Sequence, residues 1–315
     1  MPINQSSCLS AVHLGGDTWT ASKIVVWGLT PSWSPVLFYD QSSSRLFLFY
    51  SESKKSFSPG GDIHCITSED DGETWSPPST LYTHEADGEV PKVTSNRPAV
   101  GDDGTWYLPF HIEPAESYMV FNAKTWCPQK EAEGHRNVVM VPETAVAQGI
   151  VTAAGVIISR DKGNFWSVGG YIEDPKTWLI QPAVEWSTKH GLLLLSQTAA
   201  GRVYSAKSLD GGSSWTRPIP CKVTNPNSKI STALMDGQLL LVHNPSTTQL
   251  NQLAISLSLT HGKSWEHLCF VEQSKDDILC SPCIVAWAED TIKVAYTVWG
   301  KGLKLCTLKL ITVDG

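Results

Sequence analysis

Apolar residues fall in short dense runs separated by polar turns. The runs Arg45-Leu46-Phe47-Leu48-Phe49, Trp106-Tyr107-Leu108-Pro109-Phe110, 192–195, 239–242 and 292–296 are strand-sized, and 302–313 alternates between apolar and polar positions. A period of two, or a short continuous apolar run, reads as a strand buried on one face or both. Almost no stretch carries the 3.6-residue apolar period of an amphipathic helix. Asp103-Gly104 and Asp236-Gly237 sit between such runs and read as tight hairpin turns. The pattern predicts an all-β chain with hardly any helix.

One short motif recurs four times. The copies are Ser68-Glu69-Asp70-Asp71-Gly72-Glu73-Thr74-Trp75, Ser159-Arg160-Asp161-Lys162-Gly163-Asn164-Phe165-Trp166, Ser208-Leu209-Asp210-Gly211-Gly212-Ser213-Ser214-Trp215 and Ser258-Leu259-Thr260-His261-Gly262-Lys263-Ser264-Trp265. The Asp or Thr side chain caps a turn by accepting from backbone N–H groups. The glycine takes a positive φ, and the indole covers the hairpin. The glycines are spaced 91, 49 and 50 residues apart. The first interval is close to the sum of the other two, so a copy near residue 118 reads as lost. Gly16-Asp17-Thr18-Trp19 reads as a worn copy.

A second repeat opens strands with a residue and a proline: Ser34-Pro35-Val36, Arg97-Pro98-Ala99-Val100, Gln181-Pro182-Ala183-Val184 and Ser281-Pro282-Cys283-Ile284. Short strands in units of this length are the signature of propeller blades. The 315 residues give about six units. The expectation is a single domain, 1–315, folded as a six-bladed β-propeller. The stretch 113–149 is the least regular and reads as a long insertion.

Composition narrows the partners. Twenty-four Lys+Arg against 31 Asp+Glu give a net charge of −7, which counts against a nucleic-acid partner held by phosphate contacts. No apolar run is long enough to span a bilayer, so no membrane partner is expected. The first residues carry neither a basic start nor an apolar stretch of signal-peptide type, and the chain as written reads as cytoplasmic. Of eight cysteines only Cys280-Ser281-Pro282-Cys283 forms a C-x-x-C pair. No second pair or histidine set follows it, so buried thiols are expected rather than a metal site. Neither G-x-G-x-x-G nor a P-loop occurs, and no cofactor is expected.

The S-x-D-x-G-x-T-W motif resembles the Asp-box of the sialidase superfamily, and the chain is similar to sialidase-like BNR-repeat proteins over nearly its full length. Blocks such as Trp33-Ser34-Pro35-Val36-Leu37-Phe38, Ile180-Gln181-Pro182, Asn225-Pro226-Asn227-Ser228 and His243-Asn244-Pro245-Ser246 share in that likeness. The resemblance implies a six-bladed sialidase-type propeller. It also implies chemistry by three arginines on a substrate carboxylate, a Tyr–Glu nucleophile pair and an Asp acid/base. The sequence departs from that set. Only six arginines are present, and of these only Arg97 and Arg202 fall at pocket positions. The F/Y-R-I-P segment is absent. Lys229-Ile230-Ser231-Thr232 stands where relatives carry an Asp, and Gly300-Lys301-Gly302 where they carry polar or basic residues.

In a propeller the first strand of each blade lines the central channel. Residues at the starts of those strands and at the ends of the next ones should meet at one mouth. Trp33, Ser34, Arg97, Gln181, Lys229 and Ser281 belong to the first set. His111, Glu113, Gln197, His243, Asn244, Tyr296 and Trp299 belong to the second, with Arg202 just beyond Gln197. Glu113, His111 and Tyr296 are the catalytic candidates. Trp33, Arg97, Gln181, Gln197, Arg202, Lys229, Asn244 and Trp299 are the substrate-binding ones. The leading expectation is an enzyme acting on a small molecule or glycan, a glycosidase or acidic-sugar lyase relative rather than a true sialidase. Two alternatives stand beside it. One is a repurposed non-hydrolytic enzyme, performing cyclisation or cycloaddition on an apolar secondary metabolite. The other is a non-catalytic glycan-binding propeller. Oligomeric state is left open.

Overall fold

A computed structural model describes residues 7–11, 14–15, 18–28, 30–52, 60–85, 91–112 and 153–310. No α-helix occurs among them, and none is long and apolar enough to cross a membrane. The first blade is β5 (Ser32–Asp40), β6 (Arg45–Glu52), β7 (Asp62–Ser68) and β8 (Ser79–Tyr82). The second is β9 (Val93–Thr94), β10 (Ala99–Val100), β11 (Trp106–His111), β12 (Ala154–Ser159) and β13 (Ser167–Val168), with β9 and β10 both paired to β11. The third is β14 (Ile180–Ser187), β15 (Gly191–Gln197), β16 (Arg202–Ser208) and β17 (Ile219–Thr224). The fourth is β18 (Ser231–Met235), β19 (Gln238–His243), β20 (Gln252–Ser258) and β21 (Glu266–Gln273). The fifth is β22 (Leu279–Ala288), β23 (Thr291–Val298) and β24 (Gly302–Lys309). All ladders are antiparallel meanders.

At the N-terminus β1 (Ser7–Ala11) pairs with β4 (Lys23–Gly28), and β2 (Leu14–Gly15) with β3 (Thr18–Trp19). Val25 and Val26 of β4 pack on Leu48, Tyr50, Ile66 and Trp75 of the first blade. Blades meet through their inner strands: β14 packs on β10 and β11 of the blade before it and on β18 of the blade after it, and β18 packs on β22. The cores lie between blades. Phe47 and Phe49 of the first blade share a cluster with Trp106, Leu108 and Phe110 of the second. Leu193 and Leu195 of the third share one with Leu239 and Leu241 of the fourth. A strand sandwiched this way is buried on both faces, which is why 192–195 is an unbroken leucine run.

The described residues form five blades, not the six that the repeat arithmetic predicts. The 91-residue interval does not hold two blades. It belongs to consecutive blades, because the second Asp-box follows β12, which pairs along its whole length with β11. The extra length is the stretch joining those two strands, residues 113–152, outside the described residues. The described N-terminal residues add two separate two-stranded ladders rather than a four-stranded blade.

The Asp-boxes sit at the turn between the third and fourth strands of the first four blades. In the first, Gly72 N–H donates to Ser68 Oγ at 2.8 Å, Thr74 N–H to Asp70 Oδ1 at 2.8 Å and the Trp75 indole to the Gly72 carbonyl at 3.1 Å. The Thr74 hydroxyl first, then the Thr74 N–H and the Ser68 hydroxyl, all donating to the exposed Asp70 carboxylate, hold its carboxyl down to about 2. Thiols at Cys65 and Cys221 are buried, whereas Cys283 is exposed; these three and Cys269, Cys280 and Cys306 are unbridged.

Candidate functional site

Three innermost strands break at the same point. Ser34, Gln181 and Ser281, each preceding a proline, have φ of 48°, 46° and 52°, and the ladders shift register there. Proline has no N–H for the ladder, so the strand bulges at that point. A left-handed residue other than glycine costs roughly 1–2 kcal/mol, which the surrounding sheet must hold. In the second blade Ser95-Asn96-Arg97-Pro98 separates β9 from β10. The Asn96 amide donates to the carbonyls of Gln181 and Pro182, both at 3.1 Å, and so closes the second blade onto the third.

Arg97 reaches across this break. Its Nη2 donates to Glu185 Oε1 at 2.6 Å and to the Thr232 carbonyl at 3.3 Å; its Nη1 donates to the Pro98 carbonyl at 3.2 Å. The Glu185 side chain is buried at 4% exposure, and that of Arg97 at 29%. One guanidinium thus joins the second, third and fourth blades. Glu185 lies four residues beyond Gln181 along β14, deeper in the channel. It was missed in the sequence, where the signal was one carboxylate inside the apolar run Pro182-Ala183-Val184-Glu185-Trp186.

The mouth end holds further polar groups. Among the described residues, Trp33 Nε1, Thr94 Oγ1, Ser95 Oγ, Ser196 Oγ, Gln197 Oε1 and Asn227 Oδ1 are buried atoms with no hydrogen-bond partner. They come from four blades, all near strand starts or ends on one side of the ring. Thr94, Ser95, Ser196 and Asn227 escaped the sequence reading because a small polar residue at a strand end has no spacing signature.

Lys229 lies just before β18, half-buried, and makes no ion pair among the described residues. Burial pushes its amine below the ordinary lysine value, with the nearby Cys283 sulfur pulling the other way. Gln181 is half-buried at its kink; Arg202 and Trp299 are exposed at the same end. His111 is buried at the end of β11, opposite Val93.

Other candidates are not brought to this group. Tyr296 is buried in the cluster between the fourth and fifth blades, where its hydroxyl donates to the Glu272 carboxylate that Lys304 also holds at 2.6 Å. Burial, then the bond to Glu272, raises its phenol far above the usual range. Asn244 is fully engaged: Oδ1 accepts from Ser228 Oγ at 2.7 Å, and Nδ2 donates to the carbonyls of Gln252 at 2.7 Å and Leu279 at 3.0 Å. His243 is buried, its Nδ1 donating to the Thr224 carbonyl at 3.1 Å and its Nε2 2.9 Å from Ser256 Oγ. Glu113 lies outside the described residues.

Residues 6–298 match the family model described as a BNR repeat-like domain. No curated protein matches the chain. Among solved structures it is similar to the Hadza microbial sialidase Hz136, at 15% identity and a TM-score of 0.68, over 94% of this chain and 58% of that one. It is similar to a protein of unknown function from Dyadobacter fermentans, at 17% identity and a TM-score of 0.67, over 95% of this chain and 82% of that one. It is also similar to Trypanosoma rangeli sialidase in complex with sialic acid, at 14% identity and a TM-score of 0.63, over 94% of this chain and 48% of that one. The chain thus spans only about half of each sialidase's length, and at these identities the likeness establishes a sialidase-like fold. With Asp-box turns on four of its blades and the family match running over residues 6–298, the chain belongs to the BNR repeat-like domain family.

Proposed function

We propose that this chain is a sialidase-like propeller enzyme acting at the channel mouth on a sugar that carries one acidic group, as a glycosidase or acidic-sugar lyase relative rather than a true sialidase. The observation that carries this reading is Lys229, a half-buried cation without a carboxylate partner among the described residues, at the same end as the unpartnered Gln197 and Asn227. A ligand carboxylate would complete the lysine's hydrogen bonds. Sugar hydroxyls, which both donate and accept, would satisfy the amide oxygens and the Trp33 indole. Trp33 and Trp299 supply apolar walls for a sugar face. Gln181 and Arg202 complete the polar rim.

Two features speak against the sialidase set of groups. Arg97 is committed to Glu185, so it offers little to a substrate carboxylate. Tyr296 is buried in the cluster between the fourth and fifth blades, away from the groups at the mouth, with its hydroxyl donating to Glu272. Glu113 and His111 remain the proposed acid/base groups.

The test is turnover of aryl glycosides of uronic acids, neutral sugars and sialic acid, with ultraviolet absorbance recording any unsaturated lyase product. Turnover of a uronide is expected, with the sialoside cleaved weakly or not at all. Lys229→Met should lower it roughly 10- to 150-fold, the loss of one charge-assisted bond worth about 1.5–3 kcal/mol. Efficient sialoside cleavage, or a Lys229→Met enzyme as active as the parent, would overturn the reading. Saturable binding of uronides without turnover would leave a glycan-binding propeller instead.

A further inference from the structure

We propose that a second site, on the face of the ring opposite the channel mouth, binds a small oxyanion such as a phosphate or sulfate group between the third and fourth blades. The place is an open cavity of about 380 Å³. Four turns build it: Asp102 after β10, the β14–β15 turn with Lys189 and His190, the β18–β19 turn with Gly237, and the fourth Asp-box with Leu259 and His261. Turns between first and second strands lie at the end of the ring away from the mouth, as do the Asp-boxes. This site is therefore separate from the one proposed above.

Basic groups outnumber acidic ones here. Lys189, His190 and His261 line the cavity, and Lys207 and Lys263 stand close enough to act on the two imidazoles. None of these five groups forms an ion pair among the described residues. Asp102 is the carboxylate among the lining residues, and Asp236 lies in the neighbouring turn. The His190 and His261 rings stack with centroids 5.2 Å apart. His261 is 8% exposed, and its Nε2 has no hydrogen-bond partner. Lys207 Nζ donates to the His261 carbonyl at 3.5 Å, which holds a third lysine beside the pair.

The fourth Asp-box departs from the other three at this spot. Asp70, Asp161 and Asp210 each place a carboxylate in their loop; the fourth copy has Thr260. Thr260 does the same capping work without charge, its Oγ1 accepting from the Ser264 N–H at 2.8 Å, as Asp70 Oδ1 accepts from Thr74 at 2.8 Å. The residue after it, His261, takes the left-handed conformation at φ 50° that Asp71 takes at 58°. The repeat has thus lost its anion and gained an imidazole where lysines gather. Burial first, and the neighbouring lysines after it, lower the proton affinity of the two imidazoles, and a bound oxyanion would offset the lysine charge while accepting from several donors at once.

Inorganic phosphate, sulfate and glucose 6-phosphate, titrated into the intact protein at constant ionic strength with chloride as reference, test this. The three together separate free-ion from ester binding. Saturable binding of at least one is expected, together with a rise in the His190 and His261 pKa values followed by NMR. Lys189→Ser and His190→Ala should each weaken it tenfold or more with melting unchanged. Thr260→Asp restores a carboxylate that the loop geometry already accommodates in three other copies, so it should abolish binding and keep the fold. No saturable binding beyond chloride, or unchanged affinity in Thr260→Asp, would overturn the proposal.

Discussion

At the scale of single residues, the Arg97–Glu185 pair decides what a substitution means. Arginine at this position reads in the sequence as a ligand anchor. In the fold its guanidinium neutralises a carboxylate that is 4% exposed. Arg97→Ala leaves that charge buried and alone, so a loss of about 3–5 kcal/mol in urea unfolding is expected. Arg97→Met with Glu185→Leu should recover most of it, because an apolar pair of similar volume has no desolvation cost. Gln197→Leu works the other way. The Gln197 oxygen is buried without a partner, so the variant should be as stable as the parent or more so, while binding of an acidic sugar weakens. His243 carries a pH signature. Burial pushes its imidazole from 6.5 down to about 4. Between those values the unfolded chain holds a proton that the folded chain lacks, so stability is full above pH 6.5 and falls as the pH drops towards 4. The fall from this residue is about 3 kcal/mol, and His261, pushed down to about 4 as well, adds in the same direction. Urea midpoints across that window should show the slope, and His243→Asn should flatten part of it.

At the scale of elements, the Asp-box turn is a stitch between blades as well as a turn. The Trp215 indole donates to the Gly170 carbonyl at 3.1 Å, and Gly170 N–H donates to the Gly212 carbonyl at 2.7 Å, so the third blade's box grips the end of the second. A Cβ on Gly170 would stand 2.2 Å from the Ser213 carbonyl oxygen. Gly170→Ala should therefore push the two blades apart, and Trp215→Ala should cost about 3 kcal/mol as its packing and this bond are lost. Calorimetry of both variants is the check. A melting temperature equal to the parent's in either one would show that the stitch contributes nothing. Each box was legible because turn chemistry is local: Ser, Asp, Gly and Trp do their work within eight residues. The grip on the neighbouring blade was not legible, since Gly170 carries no mark of it.

At the scale of the whole molecule, the hydrophobic clusters lie between blades rather than within them. Leu193 and Leu195 are packed with Leu239 and Leu241 of the next blade, and Leu240 belongs to a different cluster that reaches Ile284 and Val294 of the fifth. Removing one blade's support exposes its neighbour, so the described blades should unfold together. Leu241→Ala is expected to lower the transition by about 2–5 kcal/mol without splitting it, with calorimetric and van't Hoff enthalpies in agreement. The sequence by itself determined what depends on local geometry: the strands, from their period and runs; the Asp-box turns, from residue types within one loop; and the propeller class, from their recurrence. Blade number was decided only in the tertiary structure, because an interval counts residues and cannot say whether they form a sheet or a connection between β11 and β12. The candidate site divides the same way. The strand-start rule brought Trp33, Arg97, Gln181 and Lys229 to one end, since strand direction fixes which ends meet. Which of them stay free was decided by neighbours distant in the chain. Glu185, 88 residues from Arg97, takes up its charge, Glu272 takes up the Tyr296 hydroxyl, and Lys229 has no ion-pair partner among the described residues. Side-chain pairing across blades depends on distances that only ring closure sets, and no pattern along the chain records them.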